Sequence, residues 1–342
     1  MRILKFFSFI AVAATTGLCS QNITDLGTIP GTTESHPTNS SLGTILLLHG
    51  FPDFSYAWRY QVPYLTSLGY RVIAPDLIGY ANTDAPWEIS NWALKAQSGD
   101  IASLLDQVAP GEKIILGGHD WGAGLAYMFA AWHPEYLKAF FTLSVPYTRP
   151  WLGPALGWND TLDLVENGTY PTLAYQLQWR DPAMDRNYST EADVRQFYNA
   201  AFGGVTADGV GALSPFTGID HDILPFLGNQ TSIPPDDFEI YVKKISQKGL
   251  RGGLNWYRTR RMNWEDELEL AVEWESKGGF RFSTPYLFVV AEQDTFMPPK
   301  YYADLGQYFD QLTQESVDAG HWSMWEKPDE VNAILGKWIG EL

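Results

Sequence analysis

The sequence predicts an α/β fold: a mostly parallel sheet with helices on both faces and an inserted helical lid. Three observations carry that expectation. Short, continuous apolar runs recur, as in strands buried on both faces. They alternate with longer segments of helical spacing. A long middle stretch rich in Pro, Gly, Asn and Trp then interrupts the alternation before it resumes.

Taken in order, residues 43–49 (GTILLLH) read as the first buried strand, Tyr70 to Pro75 as the second, Lys113 to Gly118 as the third and Phe140 to Val145 as the fourth. Trp92 to Val108 has helical spacing with charged punctuation, and Ala123 to Ala131 opens another helical run. The strand pattern returns at Pro285 to Glu292. A helical stretch from Lys300 to Phe309 and an amphipathic helix from Pro328 to Ile339 follow it. The expected division is a polar lead over 21–42, core over 43–145, lid (cap) over 146–283 and core again over 284–342.

Residues 1–20 have the layout of a secretory signal peptide: Arg2 and Lys5, an apolar run from Phe6 to Ala14, then small residues, with cleavage expected just before Gln21. The run is shorter than the roughly 20 residues of a spanning helix, so no stable membrane anchor is expected. The single cysteine, Cys19, lies inside this segment, leaving the mature chain without disulfides. Six sequons begin at Asn22, Asn39, Asn159, Asn167, Asn187 and Asn229. With the leader they point to a secreted glycoprotein of a eukaryotic secretory pathway. A net charge of −17 argues against nucleic acid or an anionic membrane as partner, since both need a basic footprint. The small cluster Arg258, Arg260 and Arg261 reads as a solvated helix face.

The strongest local signal is Gly118-His119-Asp120-Trp121-Gly122, which leaves a strand and opens a helix. A sharp strand-to-helix turn needs small residues around its apex, here Asp120, and presents that side chain beside helix N-terminal N–H groups. Asp120 as a plain helix cap is the alternative. Asp294 closes the strand PYLFVVAEQD and His321 stands in Gly320-His321-Trp322 before the last helix. The order nucleophile, acid, histidine is the one that converges at the C-terminal edge of such a sheet. Singly, Asp294 reads equally as a helix cap and His321 as an ordinary buried histidine. His49-Gly50-Phe51-Pro52 follows the first core strand. Its turn directs the Phe51 N–H, with that of Trp121, toward the apex as an oxyanion hole, or is simply a Gly-Pro turn.

Together, HGFP at 49–52, GHDWGA at 118–123, AEQD at 291–294 and GHW at 320–322 resemble the α/β-hydrolase-fold epoxide hydrolases of the soluble type. The resemblance runs from about residue 43 onward, and Ala81 departs from it where such enzymes commonly carry a second glycine. It implies Asp120 as nucleophile, His321 and Asp294 as the water-activating pair, and two lid tyrosines that bind the epoxide oxygen. Tyr257 in NWYR and Tyr175 in AYQL match those positions, although Tyr175 also reads as a core aromatic. The implied substrates are a small hydrophobic epoxide and water, with no cofactor or metal. A carboxylate suits an electrophilic sp³ carbon, and phenols suit a departing alkoxide.

Two alternatives stay open. A haloalkane dehalogenase shares the Asp nucleophile, and the Trp121 side chain offers a halide donor, but Phe51 stands where a polar partner is usual. A non-catalytic ligand-binding protein on the same scaffold is the other. A serine esterase is disfavoured because Ser144 lacks elbow glycines. Oligomeric state and natural substrate are not legible in the sequence.

Overall fold

The computed structural model describes residues 23–25, 32–38, 41–148, 157–228 and 231–342. The expected leader with Cys19, and the sequon residues Asn22, Asn39 and Asn229, lie outside them.

Ten strands occur among the described residues: β1 (Ile23–Asp25), β2 (Thr32–Ser35), β3 (Thr44–Leu48), β4 (Arg71–Pro75), β5 (Ile114–His119), β6 (Leu137–Leu143), β7 (Leu213–Ser214), β8 (Gly218–Ile219), β9 (Tyr286–Ala291) and β10 (Leu312–Val317). Eight form one sheet in the order β1-β2-β4-β3-β5-β6-β9-β10, and β7 and β8 make a separate antiparallel ribbon. From β4 to β10 every pairing is parallel, while β2 meets both β1 and β4 antiparallel. The parallel centre follows from composition: Ile45 to Leu48, Ile114 to Leu116 and Tyr286 to Val289 are essentially inaccessible, as strands covered on both faces must be.

Helix α1 (Gln61–Ser67) packs on α12 (Pro328–Gly340), and α2 (Leu94–Val108) packs on α3 (Trp121–Trp132), so two helix pairs flank the sheet. After β6 the chain leaves the sheet and returns only at β9. The intervening segment carries α4 (Thr161–Glu166), α5 (Tyr175–Trp179), α6 (Ala183–Asn187), α7 (Glu191–Ala201), α8 (Pro235–Ser246), α9 (Arg251–Leu254) and α10 (Arg260–Ser276). A one-turn helix, α11 (Ser323–Glu326), follows the histidine loop. Among the described residues no helix is long and apolar enough to cross a membrane.

Two sequence expectations need correction, and two strands had no apolar signal to mark them. The polar lead contains strands: β2 pairs Ser35 with Val72, and its buried Glu34 is held by Arg71 and, at 2.9 Å, by His36. β10 was not expected, because along an edge strand only Val317 is fully buried and no apolar run marks it. The stretch from Lys300 to Phe309 is not one helix but two 3-10 turns, Pro299–Tyr301 and Leu305–Tyr308, in a segment that begins with two prolines and contains Gly306. The arginine cluster is a solvated face only at Arg261, which is exposed: Arg260 is buried, and Arg258 is half-buried against Asp185 at 2.8 Å.

Candidate active site

The carboxyl ends of β3, β5, β9 and β10 run out into loops on one edge of the sheet, and the predicted residues gather there. Asp120 sits between β5 and α3 at φ +52, ψ −121, a backbone conformation that L-residues adopt only under constraint. The constraint is packing around the turn. A Cβ at Gly122 would fall 2.1 Å from the Leu48 carbonyl oxygen, and one at Gly50 would fall 2.4 Å from the Asp120 Cβ. Only glycine lets these backbones approach so closely.

Asp120 does not cap α3, since its side chain makes no capping bond. Instead Oδ1 accepts the Phe51 N–H at 2.7 Å, and Oδ2 lies 3.4 Å from His321 Nε2. Of the two expected oxyanion donors, Phe51 thus already touches this carboxylate. The Trp121 amide, the first N–H of α3, makes no bond to it among the described residues. The Phe51–Pro52 peptide is cis.

His321 Nδ1 donates to Asp294 Oδ2 at 2.7 Å. Asp294 Oδ1 accepts the Phe296 N–H at 2.8 Å, so it caps its own turn and orients the imidazole at once. Burial works against a charged imidazole, but the carboxylates of Asp294 and Asp120 outweigh it and hold the His321 pKa well above its ordinary value. Burial likewise pushes Asp120 upward, yet the hydrogen bond and charge of His321, with help from the Phe51 N–H, bring it below the usual carboxylate range. Both shifts favour a carboxylate facing an imidazolium.

The supporting turns are held by groups whose hydrogen-bond roles are fixed by their partners. The Leu77 N–H donates to His49 Nε2 at 2.9 Å, so His49 Nδ1 carries the proton and donates to the Gly50 carbonyl at 2.9 Å. Burial lowers the His49 pKa to about 3 and keeps that ring neutral. Next along, Ala81 stands at φ +41, a left-handed conformation in which an alanine bears backbone strain.

Several residues had no sequence signal of their own. His119 Nε2 and Ser144 Oγ both donate to the His321 carbonyl at 2.8 Å. Burial and the charge of His321 lower the His119 pKa to about 4, so the strut is a neutral ring. Ser144, at φ +65, is therefore a second strut in the site. Glu326 accepts the N–H groups of Gly320 at 2.7 Å and Trp322 at 3.1 Å, clamping the loop on both sides of His321. Asp53, fully buried, accepts Trp322 Nε1 at 3.0 Å and the Tyr241 hydroxyl of α8 at 2.6 Å, joining the histidine loop to the inserted segment. Such partners are invisible in sequence because they are chemically ordinary and, Glu326 apart, distant along the chain.

Tyr175 opens α5, and Tyr257 lies in the 3-10 turn Asn255–Arg258 after α9. Their rings meet edge-on at 6.1 Å, and Tyr257 also meets Trp121 at 5.1 Å and Phe51 at 5.3 Å. Both phenols are buried and, chiefly for that reason, held protonated well above their usual pKa. Asp120 and both tyrosines border two cavities. The larger, about 110 Å³, continues past Trp121, Met128, Val145 and Leu173. The smaller, about 20 Å³, lies toward Trp179, Leu213, Phe296 and Trp322. Among the described residues no group of His, Cys, Asp or Glu is placed to hold a metal ion.

This arrangement is that of an α/β hydrolase, and the chain belongs to that family: residues 43–328 match the alpha/beta hydrolase fold. Within the fold it belongs with the epoxide hydrolases. Epoxide hydrolase srdG of Neurospora crassa is 37% identical, over 89% of this chain and 87% of that protein. Bifunctional epoxide hydrolase 2 of Mus musculus is 30% identical over 86% of this chain, which spans 51% of the mouse protein. The crystal structure of Epoxide Hydrolase A from Mycobacterium thermoresistibile superposes with a TM-score of 0.70 at 27% identity, covering 90% of this chain and 93% of that one.

Proposed function

We propose that this chain hydrolyses an epoxide to a vicinal diol through a covalent ester on Asp120. The observation that carries the reading is the division between the two oxygens of that carboxylate. Oδ1 is tied to the Phe51 N–H at 2.7 Å, while Oδ2 lies 3.4 Å from His321 Nε2, and Asp120, His321, Tyr175 and Tyr257 all line the smaller cavity. In the first step Oδ2 attacks an epoxide carbon, the carbon–oxygen bond breaks, and the alkoxide takes a proton from one of the two tyrosines. A leaving oxygen needs that proton and a halide does not, so the paired phenols favour the epoxide over the haloalkane.

Ester formation changes the electrostatics of the base. Alkylated Asp120 is neutral, and His321 loses one of the two charges that held its proton. The imidazolium proton passes to the tyrosinate, restoring a neutral phenol and leaving Nε2 free to accept a proton from water. The water oxygen adds to the ester carbonyl of Asp120, and the charge that develops on Oδ1 meets the Phe51 N–H already aimed at it. Collapse releases the diol and regenerates carboxylate and imidazolium. A secreted, glycosylated form is supported by the exposed sequon residues Asn167 and Asn187; Asn159 is partly buried.

The test is the intact mass of the deglycosylated His321→Gln variant after exposure to an aryl epoxide and, separately, to a haloalkane. An adduct of the full epoxide mass on the peptide containing Asp120 is expected. An adduct from the haloalkane alone, lacking its halogen, would overturn the reading in favour of a dehalogenase. Full turnover of epoxide by Asp120→Ala would overturn the nucleophile.

A further inference from the structure

The larger cavity has one wall that the proposed chemistry does not use. Arg260, Asn263 and Glu267 follow one another at spacings of three and four on α10, which puts them on one helix face, and all three border the cavity shared with Asp120 and the tyrosines. Their exposures are only 7%, 4% and 2%. Polar groups removed from water this far are normally paired. Arg260 Nη1 donates to Thr161 Oγ1 at 2.8 Å, and Asn263 Oδ1 accepts the Leu94 N–H at 2.8 Å. Asn263 Nδ2 has only a long 3.4 Å contact to Thr259 Oγ1. Glu267 Oε2 has no partner.

We propose that Glu267, with Asn263 beside it, recognises a hydroxyl group on the arm of the epoxide that fills the larger cavity. This rests on the epoxide-opening reading and names a substrate class for it: a largely apolar epoxide bearing an alcohol away from the ring. The choice of hydroxyl follows from the wall. An alcohol donates to an ionised carboxylate and also accepts from a protonated carboxyl, so it satisfies Glu267 in either state. Burial and the neighbouring Asp266 push the Glu267 pKa well above the usual carboxylate range, with Arg260 opposing. A substrate carboxylate pairs only with the protonated form, and a substrate ammonium would be set beside the Arg260 guanidinium. Asn263 Nδ2 supplies a second donor to the same oxygen.

The experiment uses terminal epoxyalkanes of graded length, each paired with the same compound hydroxylated at its far end. For the wild-type enzyme, kcat/KM is expected to favour the hydroxylated partner by about tenfold to hundredfold at one chain length, mostly through KM. Glu267→Leu should bring that ratio to about one, while Glu267→Gln, which keeps an acceptor and a donor, should retain most of it. Thermal melting of both variants confirms that each is folded. A wild-type enzyme without preference at any length, or a Glu267→Leu variant that keeps it, overturns the inference while leaving epoxide opening intact. Failure of the wild type to turn over either series overturns the proposed function, and the inference with it.

Discussion

Replacing Gly50 by alanine should cripple ester hydrolysis more than ester formation. The added methyl would lie 2.4 Å from the Asp120 Cβ, 2.5 Å from its Oδ1 and 2.7 Å from the His119 carbonyl oxygen. Carbon atoms settle about 3.5–4.0 Å apart, so the Asp120 carboxyl must retreat by about 1 Å. The 2.7 Å bond from the Phe51 N–H cannot survive that retreat. A hydrogen bond to a charged group contributes about 1.5–3 kcal/mol, and loss of one oxyanion donor slows the step it serves by about 10²–10³-fold. Attack by Oδ2 does not need this donor to the same degree, because negative charge leaves the carboxylate in the first step and returns to Oδ1 only in the second. In single-turnover rapid quench with an aryl epoxide, Gly50→Ala should therefore accumulate the Asp120 ester, read by intact mass, with its decay slowed about a hundredfold. Overpacking should also lower stability by about 1–3 kcal/mol, visible as a reduced Tm. A folded variant whose ester decays within about twofold of wild type would refute the role given to the Phe51 amide.

Tyr257→Phe should slow alkylation by up to about a hundredfold, since Tyr175 remains as a donor, and the double change to Phe should approach about 10⁴-fold with decay of any preformed ester little altered; equal losses in both half-reactions would count against the assignment. Stability should carry the signature of Asp53, whose pKa burial raises to about 6 from an ordinary 3.8, against hydrogen bonds from Tyr241 and Trp322 and the charge of Arg59. The folded state holds that proton more tightly than the unfolded chain. The stabilisation is thus fully present below about pH 4 and lost as pH rises through about 6, on the order of 3 kcal/mol. Urea titrations of Asp53→Asn against wild type should show the variant gaining relative stability across that window, and parallel curves would exclude the buried titration.

The parts of the site legible in the sequence are those where backbone geometry restricts composition. The elbow around Asp120 and the turn at His49 to Pro52 need small residues at set offsets, because another main chain passes within van der Waals reach. Asp294 and His321 were found through their positions at element ends, where the parallel sheet directs them. What stayed hidden is of two kinds. β10 and β2 are strands whose side chains are only partly covered or are paired charges, so no apolar run betrays them. Arg260 and Glu267 look like an ordinary solvated stretch of α10 because their charge is visible in sequence and the cavity that receives it is not. The struts His119 and Ser144 meet at a carbonyl oxygen, which carries no letter of its own.

The proposed active site is assembled from two parts of the chain. Asp120, Phe51, Asp294 and His321 stand on loops at the sheet edge, whereas both tyrosines stand on the segment between β6 and β9. On the proposed mechanism, a molecule whose sheet formed before that segment docked would hold a nucleophile and a base, but nothing to receive the leaving oxygen. Such a species would be chemically mute toward electrophiles that need acid assistance. Asp53, which accepts hydrogen bonds both from Trp322 of the histidine loop and from Tyr241 of that segment, would join the two parts of the site.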